Sequence, residues 1–328
     1  YDYPGFQALG SYYEYEGESE PNIFHFPDGN ASIARLLVRN MIPSSAAGNS
    51  MEDIVTAKFN YNELDKRNNQ INIRLNSTVI KAVHTKNDLT KNVNISYLHD
   101  GKVNTIEANK CIMACYNNVI PYLCPEMPVR QKKALKNCIR APLVYTNVLI
   151  KNWQSFVNLG IRRAEMPGFL HHNVRLDFPV SMGKYQFSKN PSDPVVIHMQ
   201  SVPGEYGNPS ARKQFVAGQR KLLTTSFNDF ERSIRHQLTR LLSSGGFSAS
   251  GDILGITVNR WPHGYAYGYD PETDQVAFDM DSWPPEKQHW VTARKRFGNI
   301  SIASTDSASN AMSEAAIVEA NRAVNELR

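Results

Sequence analysis

The hydrophobic pattern of the C-terminal segment predicts a strand, a polar turn and a helix. Small and β-branched residues alternate over 299–303, which is typical of a short strand. Small polar residues then fill 304–310. From Ser313 onward the apolar residues recur at helical spacing. They are Ala316, Ala320, Ala323 and Leu327. The free N–H groups and the dipole at the start of such a helix favour a bound anion such as phosphate.

Periodic apolar residues predict two more helices upstream. The first follows Asp28-Gly29-Asn30, whose residues favour turns and N-caps, and Pro43 ends it. Its apolar positions are Ile33, Leu36, Leu37 and Met41. The second spans 211–243, where apolar residues keep helical spacing until Gly245-Gly246.

Alternating and continuous apolar runs predict strands between and after these helices. Residues 72–83 alternate, and 94–97 and 102–103 flank a His99-Asp100-Gly101 turn that favours a hairpin. Residues 110–115 form a short apolar run of the kind found in the middle of a sheet. Further strands are predicted at 143–150, 195–199 and 253–258.

The composition is that of a globular protein of moderate charge. The chain has 328 residues, enough for about two domains, and 41% of them are hydrophobic. Its net charge of +5 is too small and too scattered to indicate a nucleic-acid partner. No apolar run approaches the about eighteen residues of a membrane helix, so no membrane span is expected.

The cysteines and the first residue add two expectations. The four cysteines form no Cys-x-x-Cys pair, and Cys111 lies in an apolar run, so free buried thiols are expected. The chain opens at Tyr1 rather than at a methionine, which indicates a processed or incomplete polypeptide.

Aromatic residues cluster in the segment 256–272, ITVNRWPHGYAYGYDPE. Aromatic faces with nearby carboxylates suit a cationic amine, through cation–π attraction and charge pairing. The candidate substrate-binding residues are therefore Trp261, Tyr265, Tyr267, Asp270 and Glu272. The alternative is a tyrosine-rich surface turn with one core tryptophan.

The C-terminal segment resembles the closing motif of flavin-dependent amine oxidases. In that family a strand ends in a small residue, an acidic residue follows, and a helix opens with a glutamate. Ala303, Asp306 and Glu314 occupy these positions, and Ala315 replaces the usual glycine. The resemblance implies FAD as cofactor, with Ala114, Cys115 and Tyr116 passing over the dinucleotide. The FAD contacts that it implies are Val79, Ala114, Asp306, Met312, Ser313 and Glu314.

Together with FHFPDGN at 24–30, the aromatic segment is most similar to bacterial spermidine dehydrogenases, which carry FAD and haem b. The resemblance implies an α/β fold, the C-terminal portion of a two-domain amine oxidase with a mixed-sheet substrate domain. It implies an FAD-binding domain at 26–125 and 295–328, and a substrate domain at 1–25 and 126–294. A haem is implied as a further cofactor, without identified ligands. Bacterial periplasm and cytoplasm both stay open as the compartment.

Two departures from the family pattern change these expectations. Many amine oxidases place a lysine near the flavin on the strand entering the substrate domain, but 143–145 contain none. That favours a dehydrogenase over an O₂-using oxidase. The glycine-rich GxGxxG fingerprint is also absent from the sequence. We therefore expect the N-terminal FAD-binding segment on another chain, or cleaved.

Three hypotheses for the function follow. The first is an FAD-dependent dehydrogenase that oxidises a polyamine such as spermidine by hydride transfer to flavin N5, after which the imine hydrolyses. The second is an L-amino acid or other amine oxidase using O₂, with Arg140 or Arg260 holding a carboxylate. The third is a cofactor-free structural or binding subunit. No catalytic residue is identified, because His25, His171, His172 and His198 are interpreted as satisfied imidazoles.

Overall fold

The computed structural model describes residues 25–205, 207, 210–266, 284 and 288–328. The strands of this part are β1 (Thr78–His84), β2 (Val93–His99), β3 (Lys102–Ala108), β4 (Cys111–Met113), β5 (Arg140–Ile150), β6 (Arg163–Glu165), β7 (Asn173–Asp177), β8 (Val195–Ser201), β9 (Ile253–Ala266) and β10 (Ile300–Ile302). The helices are α1 (Ala31–Met41), α2 (Asp53–Thr56), α3 (Ile120–Leu123), α4 (Val129–Asn137), α5 (Gln154–Leu159), α6 (Ala211–Thr224), α7 (Phe227–Leu242), α8 (Ala249–Asp252), α9 (His289–Ala293), α10 (Thr305–Ala308) and α11 (Ser313–Leu327). None of these helices combines the length and apolarity that crossing a bilayer requires.

The larger core lies beneath a five-stranded antiparallel sheet of order β6-β7-β8-β5-β9. Alternate residues of β5, such as Val144 and Val148, are fully buried in one core cluster with Phe230, Ile234 and Leu238 of α7. Burying each such side chain contributes about 1.5–3 kcal/mol. The strands predicted at 143–150, 195–199 and 253–258 are confirmed as parts of this sheet.

The opposite face of this sheet is polar. Tyr145 and Asn147 of β5 alternate with the core residues, and His198 and Gln200 of β8 do the same. All four are only partly buried. An antiparallel sheet with one apolar and one polar face is stable when only the apolar face is covered by helices.

The single helix predicted over 211–243 is wrong, because the structure contains two helices there. α6 ends at Thr224 and α7 begins at Phe227. Ser226 causes the break through a capping box: its Oγ accepts the Asp229 N–H at 3.2 Å, and the Asp229 carboxylate accepts the Ser226 N–H at 3.4 Å. The predicted end at Gly246 is confirmed, since this glycine has a left-handed φ of 96°.

The smaller core surrounds a parallel pair formed by β4 and β10, beside the antiparallel meander β1-β2-β3. The hairpin at Asp100 and Gly101 is confirmed, with positive φ at both residues. The strand expected at 72–83 is shorter than predicted, since β1 begins only at Thr78. All four cysteines are free, as expected.

The buried imidazole of His84 connects three segments around the smaller core. His84 Nδ1 is hydrogen-bonded to the Glu126 carboxylate, and Nε2 accepts the backbone N–H of Asn299 at 3.0 Å. Because Nε2 accepts, Nδ1 is the nitrogen that donates to Glu126. β1, the loop before α4 and the approach to β10 therefore meet at one side chain.

The C-terminal helix begins at Ser313 as predicted, but its buried face differs in one position. Ala320 is exposed and Glu319 is buried instead. The Glu319 carboxylate accepts Arg294 Nη1 at 2.6 Å and Arg322 Nε at 2.9 Å. A carboxylate paired in this way is tolerated in a core, where an unpaired one is not.

The first helix also departs from its pattern. α1 has the predicted span, but Ile33, Leu37 and Met41 form an exposed stripe, while Ser32 and Arg39 are buried. Asn30 makes no side-chain cap in the structure. The preceding carboxylate of Asp28 is bound instead by the Ser32 hydroxyl and, at 3.0 Å, by Arg35.

The contact around His84 predicts a large effect of Gly298→Ala. Gly298 has φ 57°, and an added Cβ would lie 2.5 Å from His84 Nε2 and 2.8 Å from the Leu89 carbonyl oxygen. The control is Gly160→Ala, at φ 64° with nothing within 4 Å. The backbone conformation alone costs each variant about 1–2 kcal/mol. Overpacking adds about 1–3 kcal/mol for Gly298→Ala only.

Urea unfolding of both variants measures this difference. Equal losses of unfolding free energy in the two variants would show that the packing around His84 is looser than described.

Candidate functional site

A cleft opens where the carboxyl ends of β4 and β10 meet, the edge at which ligands bind in parallel α/β sheets. Its volume is about 230 Å³. Three lining residues follow β4, one begins β5 and two follow β10. They are Ala114, Cys115, Tyr116, Arg140, Ser304 and Thr305. Small side chains after both strands let a ligand approach the backbone closely.

Arg140 connects the walls of this cleft. Its Nη2 donates to Thr305 Oγ1 at 2.8 Å and its Nη1 donates to the Gly264 carbonyl at 3.2 Å. Its Nε lies 2.8 Å from Asp306 Oδ1, and its guanidinium carbon lies 4.5 Å from the centre of the Tyr116 ring. One guanidinium thus joins the turn after β10, the loop after β4 and the end of β9.

Asp306 lies beneath the cleft rather than in it. Its side chain is 1% exposed, and Oδ2 accepts the Asn117 N–H at 2.9 Å. Burial raises the pKa of this carboxyl above its usual value, although the Arg140 charge and the Asn117 N–H act in the opposite direction. Oδ1 and Arg140 Nε are close but not aligned as a hydrogen bond, so their contact is an ion pair.

The aromatic segment begins on a strand, not on a surface turn, as far as the structure describes it. Trp261, His263 and Tyr265 lie on β9, whose pairing with β5 is irregular between Trp261 and Tyr265. The His263 ring lies 5.3 Å from that of Tyr116, and the Tyr265 hydroxyl lies 2.8 Å from that of Tyr145. Trp261 is 49% exposed. Burial raises the pKa of Tyr145, so its phenol stays protonated at neutral pH.

His263 carries an unsatisfied buried atom. Its Nδ1 has no hydrogen-bond partner in the part of the chain that the structure describes. Burial, followed by the charge of Arg140, lowers the pKa of this imidazole, so it is uncharged. A buried polar atom without a partner is costly, so a group that hydrogen-bonded to Nδ1 would stabilise this side chain.

The predicted site residues fall into three groups. Ala114 lines the cleft and Asp306 supports it, while Trp261 and Tyr265 lie on β9. Four predicted cofactor contacts are not among the cleft-lining residues. They are Val79, which is exposed on β1, and Met312, Ser313 and Glu314 at the start of α11. Tyr267, Asp270 and Glu272 lie outside the described residues.

The sequence did not point to the role of Arg140 or His263. Arg140 was considered only as a carboxylate holder, and Arg260, the other candidate, donates to the carbonyls of Leu222 and Thr225 at 3.1 and 3.2 Å. In the sequence, Arg140 is a charged residue just before the apolar strand predicted at 143–150, and His263 is an imidazole after the strand predicted at 253–258. Neither position indicates which distant residues the side chain contacts in the fold.

The other histidines make contacts within the polar parts of the fold. His171 Nε2 lies 2.9 Å from Thr146 Oγ1, and His198 Nδ1 lies 2.8 Å from Asn147 Oδ1. Burial lowers the pKa of His171 to about 3 and that of His198 to about 4. Both are therefore neutral imidazoles at physiological pH. His198 fits its interpretation as a satisfied imidazole, whereas His171 does not, because its buried Nδ1 has no hydrogen-bond partner among the described residues.

No protein-family model matches the sequence, and no curated protein does. Among solved structures the chain is similar to a putrescine oxidase variant with redesigned cofactor binding, with a TM-score of 0.52 and 12% identity over 77% of this chain and 48% of that one. Putrescine oxidase with bound putrescine gives a TM-score of 0.49 and 13% identity over 77% and 48%. Cyclohexylamine oxidase from Brevibacterium oxydans gives 0.47 and 9% over 76% and 47%.

The first of these similarities confirms the expected fold class. The chain has a mixed α/β fold that corresponds to part of a two-domain amine oxidase, and it spans about half the length of the structures that it matches. At this identity the comparison speaks for the fold alone.

The cysteines of the described fold predict a thiol titration. Burial raises the pKa of Cys111 and Cys115 to about 11, and that of Cys124 and Cys138 to about 12. At about pH 8 the reactive thiolate is scarce, so a disulfide reagent should modify the native protein slowly at all four sites. All four thiols should react after unfolding in denaturant. Rapid modification of the cleft residue Cys115 in the native protein would contradict this environment.

The pair His25–Asp177 predicts a pH-dependent stability. His25 Nε2 lies 3.0 Å from Asp177 Oδ1, and this bond raises the pKa of His25. Burial alone would raise the pKa of Asp177, but the bonded His25 brings it below its usual value. The contribution of His25 is complete below its unfolded pKa and is lost as pH rises through its folded pKa. The contribution of Asp177 is lost as pH falls through its own lowered pKa.

His25→Gln should therefore cost about 0.5–1 kcal/mol near pH 5.5 and nothing at alkaline pH. Urea unfolding across this range measures it, and Asp177→Asn with the double variant isolates the pair. A loss of stability in His25→Gln that is independent of pH would exclude the charged pair.

Proposed function

We propose that this chain is the C-terminal part of an FAD-dependent amine dehydrogenase that oxidises a polyamine such as spermidine. The observation that carries the proposal is the adjacency of two features. A cleft at the ends of two parallel strands is joined by Arg140 to the aromatic end of β9. A cofactor at the first would lie beside an amine at the second. The fold similarity to a putrescine oxidase variant supports this arrangement.

The residues present fit one part of a flavin dinucleotide. A volume of about 230 Å³ is below the about 300–1,000 Å³ of pockets that enclose a whole drug-sized ligand. Ala114 and Ser304 would allow close backbone contact, and Arg140 supplies a positive charge. We assign the remaining contacts to Val79 and to the start of α11, at Met312, Ser313 and Glu314. A glycine-rich N-terminal segment, on another chain or cleaved, would complete the cradle.

Bound flavin would supply the acceptor for a hydride from the carbon beside the amine nitrogen. The chain's own residues would bind and orient the amine. The faces of Trp261 and Tyr265 suit an ammonium group, and we extend this site to Tyr267, Asp270 and Glu272. Burial raises the pKa of Tyr145, which is hydrogen-bonded to Tyr265, so Tyr145 stays protonated at neutral pH and cannot serve as a base.

The proposal also includes the dehydrogenase mode, a haem and a division into two parts. The absence of lysine at 143–145 supports a dehydrogenase over an oxidase. A haem b rests on the sequence resemblance alone. The division into an FAD-binding part at 26–125 and 295–328 and a substrate part at 1–25 and 126–294 is likewise our proposal.

The test is anaerobic reduction of protein-bound flavin. The 328-residue chain is mixed with FAD, freed of unbound cofactor, and titrated with spermidine. We expect the visible flavin absorption to bleach. Trp261→Ala should raise the spermidine concentration for half-maximal bleaching about tenfold, since one cation–π contact contributes about 1–2 kcal/mol. Tyr61→Ala, which removes another exposed aromatic ring, is the matched control and should have no effect.

Other outcomes favour the other hypotheses. Rapid peroxide formation with an L-amino acid and O₂ would indicate an oxidase. A chain that retains no flavin either alone or together with a glycine-rich FAD-binding segment would indicate a cofactor-free binding or structural subunit.

A further inference from the structure

Arg140 is the charged side chain that reaches the cleft. It is one of the lining residues, and its side chain is 10% exposed. The carboxylate of Asp306, at 1% exposure, is not a lining residue. A ligand that enters the cleft therefore meets the guanidinium first, and meets Asp306 only if the protein rearranges.

The guanidinium also keeps unused donors. It carries five N–H groups. Two are used in the hydrogen bonds to Gly264 and Thr305, and the Nε group lies against Asp306. One N–H on each of Nη1 and Nη2 remains, within the part of the chain that the structure describes. Guanidinium N–H groups of this kind donate to the oxygens of a phosphate or a carboxylate.

The surroundings add a second sign of a ligand. The Tyr116 ring covers the guanidinium, so an anion would bind in the plane of the fork rather than above it. The ring of Tyr116 also contacts His263, whose buried Nδ1 has no partner among the described residues. In the tautomer that carries its proton on Nδ1, this imidazole is a hydrogen-bond donor.

We infer that Arg140, and not Asp306, binds the anionic group of the cleft ligand, and that Asp306 is a positioning residue that holds the guanidinium. The ligand class is a phosphate or a carboxylate. Only the identification of that anion as the cofactor's pyrophosphate rests on the proposed function. The inference reverses the roles expected from the sequence, where Asp306 was the ligand contact.

The test compares the anion affinity of the 328-residue chain, Asp306→Asn and the double variant Arg140→Met/Asp306→Asn. The double variant leaves no lone buried charge, so it is expected to fold when Arg140→Met alone does not. Calorimetric titrations with inorganic pyrophosphate, FAD, riboflavin and acetate separate the sources of the anion. Arg260→Met is the matched control, because that guanidinium binds two backbone carbonyls instead.

We expect Asp306→Asn to bind pyrophosphate within about threefold of the parent chain, because loss of the Asp306 charge strengthens the attraction of Arg140 for an anion while Gly264 and Thr305 still hold the guanidinium. The double variant should bind pyrophosphate at least about tenfold more weakly than the parent chain, and its remaining affinity should not depend on salt concentration. FAD should follow pyrophosphate, whereas riboflavin, which has no phosphate, should bind all variants alike. Acetate binding that needs Arg140, without pyrophosphate binding, would assign the cleft to a carboxylate and support the inference with that anion.

The inference is overturned if the double variant binds pyrophosphate like the parent chain, or if Asp306→Asn loses as much as the double variant. It is also overturned if neither pyrophosphate nor acetate binds the parent chain. Pyrophosphate binding that needs Arg140, without FAD binding, would support the inference and contradict the proposed function. FAD binding that is unchanged when Arg140 is replaced would contradict the inference and support the proposed function.

Discussion

The buried ion pair between Arg140 and Asp306 sets the geometry of the cleft. A charge taken out of water is tolerated only with a partner, and removal of one partner leaves the other at a cost of several kcal/mol, about 3–5. The two residues therefore depend on each other, and so do the segments that carry them. Arg140 begins β5, which lies between β8 and β9 in the antiparallel sheet, and Asp306 follows the short parallel strand β10. The ion pair fixes these two sheets with respect to each other at the point where the cleft opens.

Local patterns sufficed for the elements of the fold that local forces determine. The C-terminal strand and helix, the hairpin at Asp100 and the strand through Val144 follow directly from periodicity and turn chemistry. The helix break at Ser226 could have been predicted, because Ser-x-x-Asp is a helix-start motif. It was not predicted because the apolar residues keep helical spacing across the break.

The candidate site was less predictable for a physical reason. Ala320 and Glu319 exchange places on the buried face because two arginines from different segments bind the carboxylate. Arg140 and Asp306 likewise meet only through the tertiary fold. Charge pairs between distant residues leave no periodic signal in the sequence. Ala114 was proposed from the family resemblance and the turn after Ala303 from its small polar residues, and both segments line the cleft.

The two faces of the five-stranded sheet have a consequence for how this protein could change over time. Along β5 the residues Val144, Thr146 and Val148 belong to the interior, while Tyr145 and Asn147 point the other way. Interior and outward positions contact different neighbours, so substitutions on the outward set leave the packing against α7 untouched. Such a scaffold can acquire a preference for a new molecule one side chain at a time and still keep its shape. The outward residues of β5 can therefore change with the molecule that is bound, while its interior residues keep the fold.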